Sequence, residues 1–328
     1  MAEKPLPFNK EKMLEIIDNY PTPFHIYDEG AIRGNARKFR KAFGIFPGFK
    51  EFFAVKALPN PFVMKILKEE GFGTDCSSYP ELLLSEKVGI VKEEIMFSSN
   101  DTPANEYKKA KELGAIINLD DISHIDFLEK HAGLPDLICF RYNPGPARTG
   151  NVIIGDPKEA KYGFTREQLF EGYEICRKKG VKRFGMHTMV VSNELNQNYL
   201  IETAKMMFEL ALEVKEKLGI NLEFVNLGGG FGIPQKPEEK ALDYAYLARE
   251  MKKLYDNYNL GGLKVYFECG RVITGPYGFL VTKVLHMKHT YKDFVGCDAN
   301  MANFMRPAIY KAYHHITILG KEDENPAK

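Results

Sequence analysis

The chain has 328 residues, 44% hydrophobic and 27% charged, with 45 Lys+Arg against 44 Asp+Glu and a net charge of +1. That balance describes one large or two unequal globular domains and argues against a nucleic-acid reader driven by phosphate neutralisation. No apolar run is long enough to span a bilayer and the first residues lack the apolar core of a signal peptide, so neither a membrane nor a nucleic-acid partner is expected and the cytoplasm is the expected compartment.

Eight short apolar runs, each ending in a polar residue or a glycine, recur along the chain. They are FFAV before Lys56, FGT before Asp75, IMFSS before Asn100, IINL before Asp120, LICFRY from Leu137, FGMHT ending at Thr188, LEFVNL before Gly228, and VYF before Glu268. The early runs start about 20 residues apart, the length of one strand and one helix. After the sixth run, Ala204, Met207, Phe208, Ala211, Val214 and Leu218 mark one apolar helix face. This cadence predicts an α/β fold, a (β/α)8 barrel, with an open doubly wound sheet as its competitor.

Beyond Arg271 the texture becomes β-rich, in GFLVTKVLHMKH, DFVGCDAN and HHITILG. The expected organisation is residues 1–29 contributing a strand (PFHIY) to a β-domain, residues 30–275 forming the barrel, and residues 276–328 beginning an all-β C-terminal domain that is incomplete. Five scattered cysteines without a C-x-x-C pair predict reduced thiols and no metal site. His286 and His289 lie in a strand-like run that would turn them to opposite faces, and His314 and His315 read as packing. The loop from Pro144 to Ala160 is long enough for a lid, or for a disordered surface loop.

Residues just past the carboxyl ends of barrel strands share one mouth. Here these are Lys56, Asp75, Ser99, Asn100, Asp120, Arg141, His187, the Gly228, Gly229, Gly230 run, Glu268 and Arg271. A lysine in an apolar setting must be paired, neutralised or converted to an imine, so Lys56 is either a barrel-lining partner of Asp75 or a Schiff-base amine. Consecutive glycines let backbone N–H groups approach an anion, and Arg271 at the next strand end can fork onto the same anion. Glu268 needs a cationic partner, either Arg271, Lys56 or a protonated ring nitrogen. Amine, phosphate cradle and carboxylate together describe pyridoxal 5'-phosphate.

At these residues the sequence resembles the fold-type III pyridoxal-phosphate decarboxylases, the class of diaminopimelate decarboxylase, whose barrel is alanine racemase-like. The likeness is carried by PTPFHIYDEGAIRGNARKF, FFAVKALPNP, GFGTDCSSYPELLLSEKVGI, FRYNPG, NLGGGFGIP, FECGR and DANMANFMRPAIYKAYHHI. It implies that Lys56 is the imine lysine, supported by Asp75 and Glu81, and that Arg141 lies beneath the ring. It implies further that Ser192 and Gly228 to Gly230 bind the phosphate, that Glu268 within the cofactor-binding run Glu268-Cys269-Gly270-Arg271 partners the ring nitrogen, that Arg271 is a phosphate or substrate-carboxylate ligand, and that Arg306 and Tyr310 hold the distal end of the substrate.

The family's H-I-G-S reads Met189-Val190-Val191-Ser192, so a methionine replaces the ring-stacking histidine, and His187 reads as a barrel residue. The usual E-P-G-R reads Glu268-Cys269-Gly270-Arg271. The family pattern also continues past the last residue given, through a cysteine, an acid and a tyrosine that complete sites across a homodimer. The resemblance implies decarboxylation of a small amino acid, meso-diaminopimelate to L-lysine, as part of lysine biosynthesis. Ornithine, L- or D-lysine and carboxynorspermidine are alternative substrates. A non-catalytic pyridoxal-phosphate-binding protein and a plain lysine-imine aldolase are the rival classes, the aldolase leaving Glu268 unexplained.

Overall fold

The computed structural model describes residues 6–150, 155–236 and 238–321. It divides into two compact units: residues 29–233 with 242–276, and residues 1–28 with 234–241 and 277–328.

The larger unit is a closed barrel of eight parallel strands, confirming the predicted fold class. With β1 (Phe24–Tyr27) belonging to the smaller unit, the barrel strands are β2 (Lys50–Ala54), β3 (Gly73–Cys76), β4 (Ile95–Ser98), β5 (Ile116–Leu119), β6 (Leu137–Tyr142), β7 (Arg183–Thr188), β8 (Phe224–Asn226) and β9 (Lys264–Phe267). β2 pairs with both β3 and β9, which closes the ring.

Alternation of side chains along each strand sorts the barrel interior into layers. Phe52, Met96, Ile116, Leu137, Cys139, Phe224 and Tyr266 form one buried apolar cluster. Gly185 makes room for it, since a Cβ there would stand 2.1 Å from the Phe224 ring. Two residues further along the same strands come Ser98, Asn118, Arg141, Asn226 and Glu268, so a polar layer lies directly above an apolar plug. The period of two also corrects the sequence reading of β4. Met96 faces inward, hence so does Ser98, whereas Ser99 and Asn100 lie past the strand and the Asn100 amide bonds Asp101.

The covering helices are capped as their sequences ask. Thr165 and Gln168 form a reciprocal capping box on Arg166–Lys178, and Gln197–Leu218 starts at Asn196 and stops at Gly219 in the left-handed conformation. Phe39, Phe43, Phe231 and Phe267 pack edge to face between the outer helices and the barrel wall.

In the smaller unit β1 pairs antiparallel with β10 (Gly278–Val281), and β11 (Val284–His289) pairs with β12 (Asp293–Cys297). Asp298 ties this unit together, accepting from the Thr22 and Thr282 hydroxyls and the Lys283 N–H; these donors hold its carboxyl down at about 2. The run HHITILG, expected as a strand, is not one. No neighbouring strand pairs with it among the described residues, and an isolated strand leaves its backbone groups to solvent.

Candidate active site

Lys56 leaves the end of β2 on a single turn of tight helix, Val55–Ala57, and its amine donates to Asp75 Oδ2 at 2.9 Å and Ser77 Oγ at 3.2 Å. Its side chain is 57% exposed in the open mouth while Asp75 is 1% exposed. Burial, and then the charge of Glu268, push the Asp75 carboxyl up to about 7 against the pull of Lys56. Burial pulls the Lys56 ammonium down, but Asp75, Glu268 and Glu81 together carry it above its ordinary value. At basic pH the pair is therefore a salt bridge, and among the described residues Asp75 Oδ1 remains a buried oxygen without a hydrogen-bond partner. Glu81 caps the following helix, accepting from the Ser77 N–H at 2.8 Å and the Ser78 hydroxyl at 3.1 Å.

Glu268, just past β9, is the centre of the polar layer. Its Oε1 accepts from Asn226 Nδ2 at 2.7 Å, and its Oε2 lies 3.0 Å from His187 Nε2. The opposite ring nitrogen of His187 meets Asn118 Nδ2 at 3.0 Å, and Asn118 also reaches Ser98 Oγ at 3.0 Å. Burial raises the Glu268 carboxyl, but His187, Lys56 and Arg141 outweigh it and hold Glu268 below the usual carboxylate range. A buried carboxylate with this many donors is anionic and rigid.

Arg141 donates to Asp120 at 3.2 Å and lies 4.6 Å above the Tyr162 ring. Asp120 also accepts from the Gly163 N–H, which draws the far end of the 144–160 loop back to the barrel. The near end is pinned by Arg148, which stacks on Tyr199 and donates to Glu202, the Tyr199 carbonyl and Thr203. Residues 151–154 of that loop lie outside the described residues.

The glycine bend follows β8. A Cβ on Gly228 would stand 2.2 Å from the Thr188 carbonyl oxygen, on Gly229 2.2 Å from that of Glu268, and on Gly230 2.4 Å from that of Val191. Gly228 and Gly230 also hold φ of 70° and 88°. The Gly228 N–H is taken by Asn226 Oδ1 at 2.9 Å, whereas among the described residues the Gly229 N–H meets only the Met189 sulfur at 3.3 Å, a weak acceptor. Met189 therefore lies against the bend. Ser192 stands three residues beyond it, part-buried. The Cys269 thiol is buried and driven well above its ordinary value by burial and by Glu51, whose Oε1 accepts the Cys269 N–H at 2.6 Å. Gly270 is pressed on Ala57 and Ala54 where a short helix begins at Arg271. Arg306 and Tyr310 belong to the smaller unit, on the helix Arg306–Tyr310.

The barrel thus gathers Lys56, Asp75, Arg141, Glu268 and the glycine bend. Sequence reasoning singled out neither Asn118, Ser98 nor Asn226, and it set His187 aside. The signal was available: a single polar residue two places after an inward apolar one, as in Ile116 to Asn118 and Phe224 to Asn226.

A lysine amine in an open mouth, a second acid, Glu268, held as an anion in the polar layer, a buried Asp75 oxygen without a partner among the described residues and a bend too tight for any Cβ are what pyridoxal phosphate requires, so the residues fit that cofactor. Comparison with known proteins agrees. Residues 29–275 match the family model of the pyridoxal-dependent decarboxylase pyridoxal-binding domain. TabA of Pseudomonas amygdali pv. tabaci is 38% identical over 305 residues, covering 93% of this chain and 72% of that protein. The diaminopimelate decarboxylase of Methanothermobacter thermautotrophicus is 33% identical over 322 residues, covering 96% and 75%. Among solved structures, diaminopimelate decarboxylase of Helicobacter pylori complexed with L-lysine superposes with a TM-score of 0.83 at 26% identity, over 92% of this chain and 77% of that one.

Proposed function

Since the chain belongs to the pyridoxal-dependent decarboxylase family, and so is a carboxy-lyase that uses pyridoxal phosphate, we propose that its substrate is meso-diaminopimelate and its product L-lysine. What supports this choice is the run of relatives named diaminopimelate decarboxylase, together with three solved structures of proteins so named, from Helicobacter pylori and M. jannaschii, that hold L-lysine. Bound in the barrel mouth, pyridoxal phosphate supplies a carbonyl for the substrate amine and a ring that accepts the electron pair left behind by carbon dioxide.

The chain's own residues then have these roles. Lys56 is the amine that would hold the cofactor, and Asp75 orients that amine and can take or return its proton at Oδ2. Glu268, kept anionic by Asn226 and His187, holds a proton on the ring nitrogen. The Gly229 and Gly230 backbone, with Ser192 and Arg271, receives the phosphate, Met189 yielding the Gly229 N–H to it. Arg141, fixed by Asp120 and Tyr162, would support the cofactor's ring, with Cys269 and Gly270 shaping the wall behind Glu268. Arg271 binds a substrate carboxylate, and the protein works as a homodimer in the cytoplasm, in lysine biosynthesis.

A second reading rests on Met189 and on the 38% identity to TabA, a protein of a different name: the substrate is another basic amino acid, namely ornithine, L- or D-lysine, or carboxynorspermidine. Carbon dioxide release from a panel of these amino acids decides between them, and no release from diaminopimelate beside release from another member refutes the first. Lys56→Ala is expected to lose the absorbance of the covalently held cofactor; keeping that band would remove Lys56 from its role.

A further inference from the structure

Asn226 makes two hydrogen bonds of opposite sense. Its Nδ2 donates to Glu268 Oε1 at 2.7 Å, and its Oδ1 accepts from the Gly228 N–H at 2.9 Å. A backbone N–H can only donate and an ionised carboxylate can only accept, so the chemistry of the partners fixes which way the amide points. The side chain is wholly buried and sits at the end of β8, paired in register with His187 on one side and Tyr266 on the other. The Gly228 carbonyl in turn accepts the Glu268 N–H at 2.8 Å, so side chain and backbone link the same two places.

Resting on the functional reading above, we propose that Asn226 is a positioning residue that locks the carboxylate under the cofactor's ring nitrogen to the glycine bend at its phosphate, so that the two anchoring points are set by one amide. No other uncharged residue of similar size does this. Leucine would leave the buried Gly228 N–H without its acceptor and the Glu268 Oε1 with only the long 3.5 Å bond from Ser98 Oγ. Aspartate would still accept from Gly228 but would set a second carboxylate about 2.7 Å from Glu268, and two carboxylates so close share one proton. Asn226→Asp therefore restores the bridge when the shared proton is present and breaks it when that proton leaves. Other charged or titratable groups face Glu268 as well: His187 from β7, Arg141 and Cys139 from β6, Glu51 on β2 and Lys56 beyond it, Asp75 from β3, and Cys269 next in the chain. All are common to the wild type and the variant, so the ratio between the two proteins isolates position 226.

The experiment measures the affinity of the cofactor-free protein for pyridoxal 5'-phosphate by absorbance, at about pH 5.5 and about pH 8.5, for wild type, Asn226→Asp and Asn226→Leu, with competition by inorganic phosphate. Relative to wild type at the same pH, Asn226→Leu is expected to bind about tenfold or more weakly at both. Asn226→Asp is expected to match wild type within about threefold at the lower pH and to lose about tenfold or more at the higher. Inorganic phosphate should bind Asn226→Asp at the lower pH as it binds wild type, since the acceptor for Gly228 is kept. If Asn226→Asp follows wild type at both pH values, or is equally weak at both, the coupling is refuted. Failure of wild type itself to take up the cofactor would instead overturn the functional reading. Should Asn226→Leu not fold, the two pH values within Asn226→Asp still decide the matter.

Discussion

Gly229→Ala tests how closely the glycine bend must approach the end of β9. Gly229 is not held at a positive φ, unlike its neighbours Gly228 and Gly230, so alanine can adopt its backbone and the substitution isolates one contact. The new Cβ would lie 2.2 Å from the Glu268 carbonyl oxygen and 3.1 Å from its carbon, both backbone atoms that no rotamer change can move. Restoring an ordinary separation of about 3.4 Å requires the two segments to part by about 1.2 Å. That displacement acts on the residue whose carboxylate is aligned by Asn226 and His187. Overpacking of this kind costs about 1–3 kcal/mol of stability. A shift near 1 Å at a reacting group costs about 100-fold in rate. Urea denaturation gives the first quantity and carbon dioxide release at saturating cofactor gives the second. A Gly229→Ala protein with wild-type stability and turnover would show that the bend and Glu268 are not held in this contact.

Three further outcomes follow from the same geometry. Phe224→Ala should lose about 3–5 kcal/mol in urea, because the ring is 1% exposed and stacked on Tyr266 at 4.5 Å, and a loss below about 1 kcal/mol would contradict its place in the plug. Gly185→Ala alone should be destabilising, since its Cβ would meet the Phe224 ring at 2.1 Å, whereas in the Phe224→Ala background it should be nearly neutral; additivity would refute the contact. For pH, the folded Asp75 carboxyl lies at about 7, above the value near 3.9 of an unfolded chain. A raised carboxyl contributes stability that is full below the unfolded value and disappears as pH rises through the folded one, so wild type should lose a few kcal/mol relative to Asp75→Asn between about pH 4 and pH 7. The opposite slope in paired denaturation curves would mean that Lys56 outweighs burial.

The comparison between sequence and structure turns on period and distance. The eight barrel strands were legible because each is a short apolar run closed by a polar or glycine residue, and the chain direction of a parallel barrel sends all those closing residues to one end. Lys56, Asp75, Arg141 and Glu268 were found for that reason. Ser98 was missed in favour of Ser99 because only the inward register of Met96 says which of two adjacent serines faces the axis.

His187 and Asn118 look like ordinary strand residues in sequence, where they are 69 positions apart, yet they meet at 3.0 Å once the barrel closes. Glu268 lies 81 positions from His187 and 42 from Asn226, and receives both. The run HHITILG shows the converse: β propensity without a neighbouring strand yields no strand, because pairing supplies the stability that propensity does not.

The linear pattern of apolar and polar residues determined the barrel, the end at which its chemistry stands and the amine at its centre, since these depend on side-chain alternation and chain direction, which are local. Only the closed tertiary structure decided which partners Glu268 has, that Asp75 is buried beneath an open Lys56, and that the glycine bend is packed against the neighbouring strand ends. Those facts depend on ångström distances between segments far apart in the chain, and such distances are set by packing around the ring.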